Sequence, residues 1–285
     1  MSRAAGTVAA VTGAGSGIGQ ALAVGLARRG ARLALSDVDE AGLSRTADLV
    51  RAAGAQVHTA RVDVSDQLEV AGWAGAVAGH YGVVHQIYNN AGIASTALPI
   101  DTTDYATFRR VLDVNLWGVI HGTKEFLPHV IDSGDGHVTN ISSLNGFMAQ
   151  PGLGPYCASK FAVRGLTEAL RAEMLVAGHR VAVSVVHPGG VRTNITDGAY
   201  EQSDLDADTL EDQERRAEVY RRKLLVIPPE QAAEVILKGV AAKRSRILIG
   251  QAKGVDRLVR LLPGSYPQIV ARWERRMFGY SPSIP

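Results

Sequence analysis

Thr7-Val8-Ala9-Ala10-Val11-Thr12-Gly13-Ala14-Gly15-Ser16-Gly17-Ile18-Gly19 sets the fold of the chain. The apolar run 7–12, bounded by glycine, reads as a buried strand. Small and apolar residues follow at helical spacing, Ala21, Leu22, Ala23, Leu26 and Ala27, as far as Arg29-Gly30. Strand, glycine turn and helix together form the context in which a loop binds a pyrophosphate. The glycines let the backbone approach the ligand, and the helix N-terminus offers free N–H groups. The pattern is Gly13-x-x-x-Gly17-x-Gly19; Gly-x-Gly-x-x-Gly counted from Gly13 would need glycine at Ile18. Taken alone, the turn also suits a plain tight strand–helix connection.

A second strand, 31–37, follows at once and ends in Asp37. In a dinucleotide-binding unit a carboxylate there accepts hydrogen bonds from the adenosine ribose hydroxyls. It repels a 2′-phosphate, and neither Ser16 nor Val38 supplies a cation to welcome one. NAD is therefore expected rather than NADP. Asp37 also suits the N-cap of the helix beginning near Asp39-Glu40.

The alternation then repeats: helix 39–53, strand 55–62, helix 66–81, strand 83–88, helix 103–131, strand 136–141, helix 155–178, strand 180–186. This order predicts a doubly wound parallel sheet, Rossmann-like, in three α/β/α layers. Ligands of such sheets bind at the carboxyl ends of the strands. The distinctive residues fall there: Gly13, Asp37, Asp63, Asn89-Asn90-Ala91-Gly92, Ser142-Ser143 and His187-Pro188-Gly189-Gly190.

Tyr156 and Lys160 stand four apart, on one face of the helix 155–178. A lysine ammonium beside a phenol favours the phenolate. A tyrosine so placed can exchange a proton near neutral pH, as an alcohol–carbonyl interconversion requires. Alone, the spacing equally suits a surface helix with a solvated lysine.

Taken together, Thr12-Gly13-x-x-x-Gly17-x-Gly19, Asn89-Asn90-Ala91-Gly92, Asn115, Ser143, Tyr156-x-x-x-Lys160 and Pro188-Gly189-x-Val191-x-Thr193 resemble the short-chain dehydrogenase/reductases over about residues 5–195, with a looser fit to 250. The resemblance implies roles. Tyr156 would be the general acid/base, and Lys160 would hold the nicotinamide ribose and lower the tyrosine pKa. Ser143 would bind the substrate oxygen, and Asn115 would hold a water in a proton relay. Gly13, Gly15, Ser16, Gly17, Ile18 and Gly19 would form the phosphate loop. Asp63 and Val64 would flank the adenine, and Asn90, Ala91 and Gly92 would lie along the adenosine ribose and phosphates. Pro188, Gly189, Val191 and Thr193 would contact the nicotinamide end. Residues 1–250 would be the catalytic domain, with 194–228 as a substrate-covering loop. The resemblance also implies a homodimer or homotetramer joined through helices 103–131 and 155–178. Many relatives carry an aspartate near His85, so a changed surface contact is expected there.

The approach to Tyr156, residues 144–155, contributes Asn145, Phe147, Met148 and Leu153 as candidate substrate contacts, with Ile93, Ala94 and Leu98 nearby. No arginine lies in that stretch to grip an anion, so a mainly apolar secondary alcohol or ketone, lipid- or steroid-like, is expected. Residues 251–285 are amphipathic and basic, broken at Pro263-Gly264. Such a tail packs on its own subunit or a neighbour, or makes a peripheral membrane contact that delivers a lipophilic substrate.

The 285 residues, 46% hydrophobic, suit one large α/β domain with an extension, and a net charge of +2 gives no case for nucleic acid. One cysteine, Cys157, suits a reducing cytoplasm and reads as a buried thiol more readily than as a redox switch. Neither a bilayer-spanning run nor a signal core is evident, and no metal-ligand cluster. An NADPH-dependent ketone reductase, a non-catalytic dinucleotide sensor or scaffold, and an epimerase or dehydratase with retained NAD are the competing functions. The sensor would be expected to lack Tyr156, Lys160 or Ser143. The epimerase would need a larger sugar-nucleotide domain.

Overall fold

The computed structural model describes residues 4–95, 97–193, 195 and 207–278, with the backbone alone at 207–210, 212–214 and 220. Residues 194 and 196–206 of the expected covering loop and 279–285 of the tail lie outside the described residues.

Seven strands form one parallel sheet: β1 Val8–Thr12, β2 Arg32–Asp37, β3 Val57–Arg61, β4 Gln86–Asn89, β5 Gly136–Ile141, β6 Val181–His187 and β7 Arg246–Leu248. Their order is β3-β2-β1-β4-β5-β6-β7. Alternate side chains of a strand point to opposite faces. Ala9 and Val11 accordingly join one core with α1 (Gly17–Ala27), α2 (Glu40–Ala52) and α8 (Pro229–Ala241). Val8 and Ala10 join the other, with α3 (Gln67–Tyr81), α5 (Gly118–Asp132) and α6 (Gly154–Val176). Burial on both faces explains why β1 reads as an unbroken apolar run.

The expected helix 103–131 is a composite. α4 (Tyr105–Leu112) passes into α5 through a π-helical turn, Asp113–Trp117, which carries Asn115. Such turns mark functional sites more often than chance. Helix α2 is capped by Asp39, whose carboxylate accepts the Gly42 N–H. The alternative cap role for Asp37 therefore falls to Asp39. His85 is no mere surface contact: its Nδ1 accepts the Val8 N–H at 3.0 Å, at the amino end of the sheet and remote from the strand ends that carry the site.

The segment 194–228, expected to cover the substrate, includes helix α7 (Ala207–Lys223), and the tail forms α9 (Ala252–Leu261) and α10 (Tyr266–Phe278). The tail docks on its own chain: Ala252 and Val270 share a buried cluster with Phe147 and Met148, flanked by Val255, Val259 and Tyr266. Leu261, Leu262, Ile269 and Trp273 remain on its outer side.

Helix α5 lies close on β4 at Gly122, where a methyl group would strike the Asn89 Oδ1. The Asn89 amide cannot swing away freely, because its Nδ2 donates to Thr123 Oγ1 and Asn140 Oδ1. Gly122→Ala is therefore expected to destabilise the protein by about 1–2 kcal/mol, overpacking outweighing the gain in helix propensity. Urea unfolding of the two proteins measures the difference.

Candidate active site

The chain runs β1 to β2 to β3 on one side, then returns to place β4 on the other side of β1. Crossovers diverge at such a switch point and leave a crevice at the carboxyl ends. The seam is tied by side chains. Thr12 Oγ1 accepts the Asn90 and Ala91 N–H groups at 2.9 and 3.1 Å. Asn90 Nδ2 returns bonds to the carbonyls of Thr12 and Gly13, both at 3.0 Å.

The glycine loop fits a dinucleotide. A Cβ on Gly13 would fall 2.7 Å from Ala91 Cα, and one on Gly19 would collide with the Gly13 carbonyl. Only glycine lets the loop, α1 and residues 90–92 close together. Gly13 and Gly17 also adopt positive φ, 64° and 53°. Ser16 is exposed and makes no capping bond from its side chain on α1, and no acid stands in the first turn. The first-turn amides are thus disposed toward an anion. Ile18 is buried behind the loop.

Asp37 reaches back to the loop: its Oδ2 accepts the Gly15 N–H at 2.7 Å and its Oδ1 the Asp39 N–H at 2.9 Å. Val38 beside it is exposed. Asp63 turns its carboxylate on Ser65, accepting from both N–H and Oγ, and Val64 is buried at the end of the next strand. On the other side, Thr193 lies against the loop, its Cγ2 3.2 Å from where a Gly17 Cβ would stand. Val191 is buried in the core and forms a bridge with Ile227. The Pro188 carbonyl accepts the Leu144 N–H, and Gly189 lies tight against Ala252 of the tail.

Ser143, Tyr156, Lys160 and Asn115 converge beyond the end of β5. Lys160 is 2% exposed, and its Nζ donates to the Ile141 carbonyl at 3.2 Å. The ammonium lies 5.7 Å from the centre of the Tyr156 ring. Burial disfavours its charge and lowers its pKa to about 8. The phenol of Tyr156 is pushed above its ordinary value by burial, and its bond with the Ser143 hydroxyl draws it part of the way back. That direction differs from the sequence expectation of a phenol lowered by Lys160; the low-dielectric surroundings outweigh the attractive contacts.

Asn115 is fully buried. Its side chain brackets Ile93, accepting the N–H at 2.7 Å and donating to the carbonyl at 2.9 Å, and it also donates to Ser159 Oγ. It thereby fixes the 92–93 backbone beside Lys160, whose Nζ is 3.3 Å from a Cβ placed on Gly92.

His187 escaped the sequence argument beyond its place at a strand end. It is fully buried at the end of β6, and its Nδ1 lies 2.7 Å from the Ser143 carbonyl. A carbonyl only accepts, so Nδ1 carries the proton. Burial holds its pKa down to about 4, which keeps the ring neutral. It pins the serine backbone while Ser142 Oγ donates to the Lys160 carbonyl.

Of the expected substrate contacts, Leu153 is partly exposed and bridges to Leu98. Asn145 and Phe147 are buried, at 7% and 3% exposure. Asn145 braces its own segment, donating to Met148 O and Gln150 Oε1. Phe147 packs edge-on against His187 and into the tail cluster. These two are part of the packing of the 144–155 segment and not of its surface. No arginine is near in sequence, yet the fold brings one: Arg216 of α7, 8% exposed, donates to the Ala97 carbonyl. Cys157 is buried and its thiol is pushed up by burial, which disfavours a reactive thiolate. Among the described residues no cluster of metal ligands occurs, and no helix is long and apolar enough to cross a membrane.

A parallel sheet with a glycine cradle at its switch point defines a dinucleotide-binding α/β protein. The pattern of the short chain dehydrogenase family matches residues 7–204. A Mycobacterium tuberculosis protein named "Putative oxidoreductase SadH" is 50% identical over 282 residues, 99% of this chain and 100% of that one. Cis-4-hydroxycyclohexanecarboxylate dehydrogenase of Sinomonas cyclohexanicum is 34% identical over 249 residues, 87% of this chain and 94% of its own. The crystal structure of a short chain dehydrogenase/reductase from Burkholderia phymatum in complex with NAD covers 100% of this chain and 99% of its own, with TM-score 0.82 and 31% identity. The chain belongs to the short-chain dehydrogenase/reductase family, and it is an NAD(P)-dependent dehydrogenase acting on CH–OH groups.

The buried ammonium of Lys160 has a consequence for stability. Below about pH 8 it is charged in folded and unfolded chains alike, and folding bears the full desolvation cost. Between about 8 and 10.5 the unfolded chain keeps the proton that the folded chain has shed, so this group's contribution to stability rises with pH. Lys160→Met is expected to be more stable than wild type at pH 7 by about 2 kcal/mol, the relief of desolvation less one lost hydrogen bond. The gap should close as pH rises from 8 to 10. Urea midpoints across that range measure it.

Proposed function

We propose that the protein interconverts a mainly apolar secondary alcohol and its ketone with NAD(H), with Tyr156 as the general acid/base. The observation that carries this is the joining of Tyr156 to Ser143 above the buried ammonium of Lys160, next to a cradle closed by Asp37. The nicotinamide supplies the hydride chemistry when bound; the protein supplies position and proton handling.

Asp37 holds the adenosine ribose hydroxyls, exchanging its bonds to Gly15 and Asp39 for them or sharing them, and its charge disfavours a 2′-phosphate. Asp63 and Val64 flank the adenine. The amides at the start of α1 take the pyrophosphate, and Asn90, Ala91 and Gly92 line its path. Pro188, Gly189, Val191 and Thr193 meet the nicotinamide end. Lys160 holds the nicotinamide ribose and steadies negative charge on the phenol. Ser143 donates to the substrate oxygen. In the oxidation direction Tyr156 takes the hydroxyl proton; in reduction it returns it. Asn115 maintains the route by which Lys160 exchanges protons with water.

The substrate wall is formed by Leu153, Leu98, Ile93 and Ala94 around Ser143 and Tyr156, with Asn145 and Phe147 as its support. The apolar lining favours an uncharged ring or chain alcohol; the substrate named for the Sinomonas relative, cis-4-hydroxycyclohexanecarboxylate, shares the ring alcohol but also carries a carboxylate. Trp117, Phe161 and Tyr105, exposed on the α4–α6 side, support self-association there into a dimer or tetramer.

Tyr156→Phe is expected to lower the NAD-linked oxidation of cyclohexanol by about 10²–10⁴-fold, the span of a general acid/base, while leaving NADH affinity within about twofold. Because burial holds the phenol high, wild-type oxidation should climb through the alkaline range, and steady-state rates from pH 7 to 10 test this. Asp37→Ala should weaken NADH binding and narrow its advantage over NADPH, read by fluorescence titration. Tighter binding of NADPH by the wild type would overturn the NAD assignment.

A further inference from the structure

Among the described residues, three Lys, Arg, Asp or Glu side chains are buried: Lys160, Arg216 and Glu274. A buried charge is costly unless it is partnered, so each needs an explanation. Lys160 belongs to the catalytic group. The other two lie close enough for the charge of Arg216 to act on Glu274, and nothing in the proposed chemistry uses them.

Glu274, on α10, is 4% exposed. Its Oε1 accepts the Gln150 Nε2 at 2.7 Å. Gln150 Oε1 in turn accepts the Asn145 Nδ2 at 3.1 Å, and the Asn145 N–H donates to Ser143 Oγ at 3.1 Å. A continuous chain of bonds therefore runs from the last described helix to the hydroxyl set against Tyr156. A second tie lies beside it, where Tyr266 of α10 accepts the Ala149 N–H at 3.4 Å. Burial raises the Glu274 pKa, and the Gln150 hydrogen bond and then the charge of Arg216 on α7 draw it part of the way back. The Arg216 guanidinium also lies 5.1 Å from the Phe278 ring centre and contacts the Ala97 carbonyl. One carboxylate thus stands where three pieces meet: the Ser143 segment, the covering helix and the tail.

We infer that Glu274 is a positioning residue for the substrate side of the active site, which fixes the 143–153 segment through Gln150 and Asn145 and so makes the C-terminal extension part of the substrate-binding structure. The inference rests on the alcohol–ketone reading for the identity of Ser143's partner, but its mechanical part stands independently. Removing the carboxylate frees Gln150, and with it the brace on Asn145. The wall then samples more conformations, and alcohols that lean on it bind more weakly while the proton-transfer groups remain in place.

Hydrogen–deuterium exchange resolved by peptide, on full-length wild type, Glu274→Ala, Glu274→Gln and Gln150→Leu, tests it together with steady-state oxidation of cyclohexanol by NAD. Glu274→Ala and Gln150→Leu should each raise exchange across 143–153 while the 8–19 peptide stays as in wild type. KM for cyclohexanol should rise about tenfold, with kcat within about twofold. Glu274→Gln should restore the wild-type exchange of 143–153, because its amide oxygen still accepts from Gln150. Unchanged exchange at 143–153 in both Glu274→Ala and Gln150→Leu would overturn the inference. A uniform rise over all peptides would do the same by showing general destabilisation only. Failure of the function reading looks different: wild type and Tyr156→Phe would oxidise cyclohexanol and longer secondary alcohols equally poorly, while the exchange results would still decide the role of Glu274.

Discussion

The seam between β1 and β4 governs the rest of the structure. Parallel strands end with open carbonyls and amides, and at a switch point the flanking connections leave in opposite directions. Something must bind the two halves there without filling the gap. Thr12 and Asn90 do so with four hydrogen bonds, two through a hydroxyl that accepts and two through an amide that donates. The glycines at 13 and 19 then allow α1 and residues 90–92 to approach within contact of the loop. With that geometry set, Asp37 is delivered to one side of the crevice and the β5 end, with Ser143, to the other.

The crevice has a second property, the burial of its ionisable groups. Lys160 is enclosed, and the same enclosure raises the Tyr156 phenol and lowers the Lys160 ammonium. Both shifts oppose charge, so the tyrosine–lysine pair sits nearer neutrality than either group would in water. A low-dielectric pocket also strengthens every charge that enters it. The site is therefore arranged to respond strongly to a bound cationic ring, whereas a solvated tyrosine–lysine pair would respond weakly. His187 shows the same economy of charge: burial keeps it neutral, which leaves it free to donate one firm bond to the Ser143 carbonyl.

The sheet and the cofactor side were legible because their determinants are local. A six-residue apolar run, glycines at fixed offsets and an acid at the end of the next strand each act over a few residues. Strand ends 12, 37 and 141 fell where expected or within a residue of it. Gly13 to Gly19, Asp37, Asn90 to Gly92, Ser143, Tyr156 and Lys160 were brought to one end of the sheet. What stayed hidden depends on partners far along the chain. Nothing near Asn115 announces a π-helical turn. Phe147 reads as a wall residue until the tail is seen to cover it. Gln150 and Glu274 are separated by 124 residues, and neither has a neighbour in sequence that marks the two as partners. Glu274 sits among arginines, a setting that by pattern alone suggests a solvated helix face.

The same contrast separates the reaction class from the substrate. The proposed hydride and proton chemistry rests on short motifs at strand ends, so its class can be read from spacing. The proposed substrate side draws on the 143–153 segment, α7 and α10, which are far apart in sequence and come together through tertiary contacts around Arg216 and Glu274. An amphipathic basic tail is compatible with a membrane surface, a second subunit or its own core, and periodicity cannot choose among them. Here the apolar stripe of Val255, Val259, Tyr266 and Val270 is spent on Met148 and Phe147. The wall behind Ser143 is thus supported by the part of the chain that is farthest from it in sequence. On the proposed reading, a change in α10 would alter the support of the 143–153 segment while leaving the glycine loop and the Tyr156–Lys160 pair in place, and substrate preference would then be separable from catalysis.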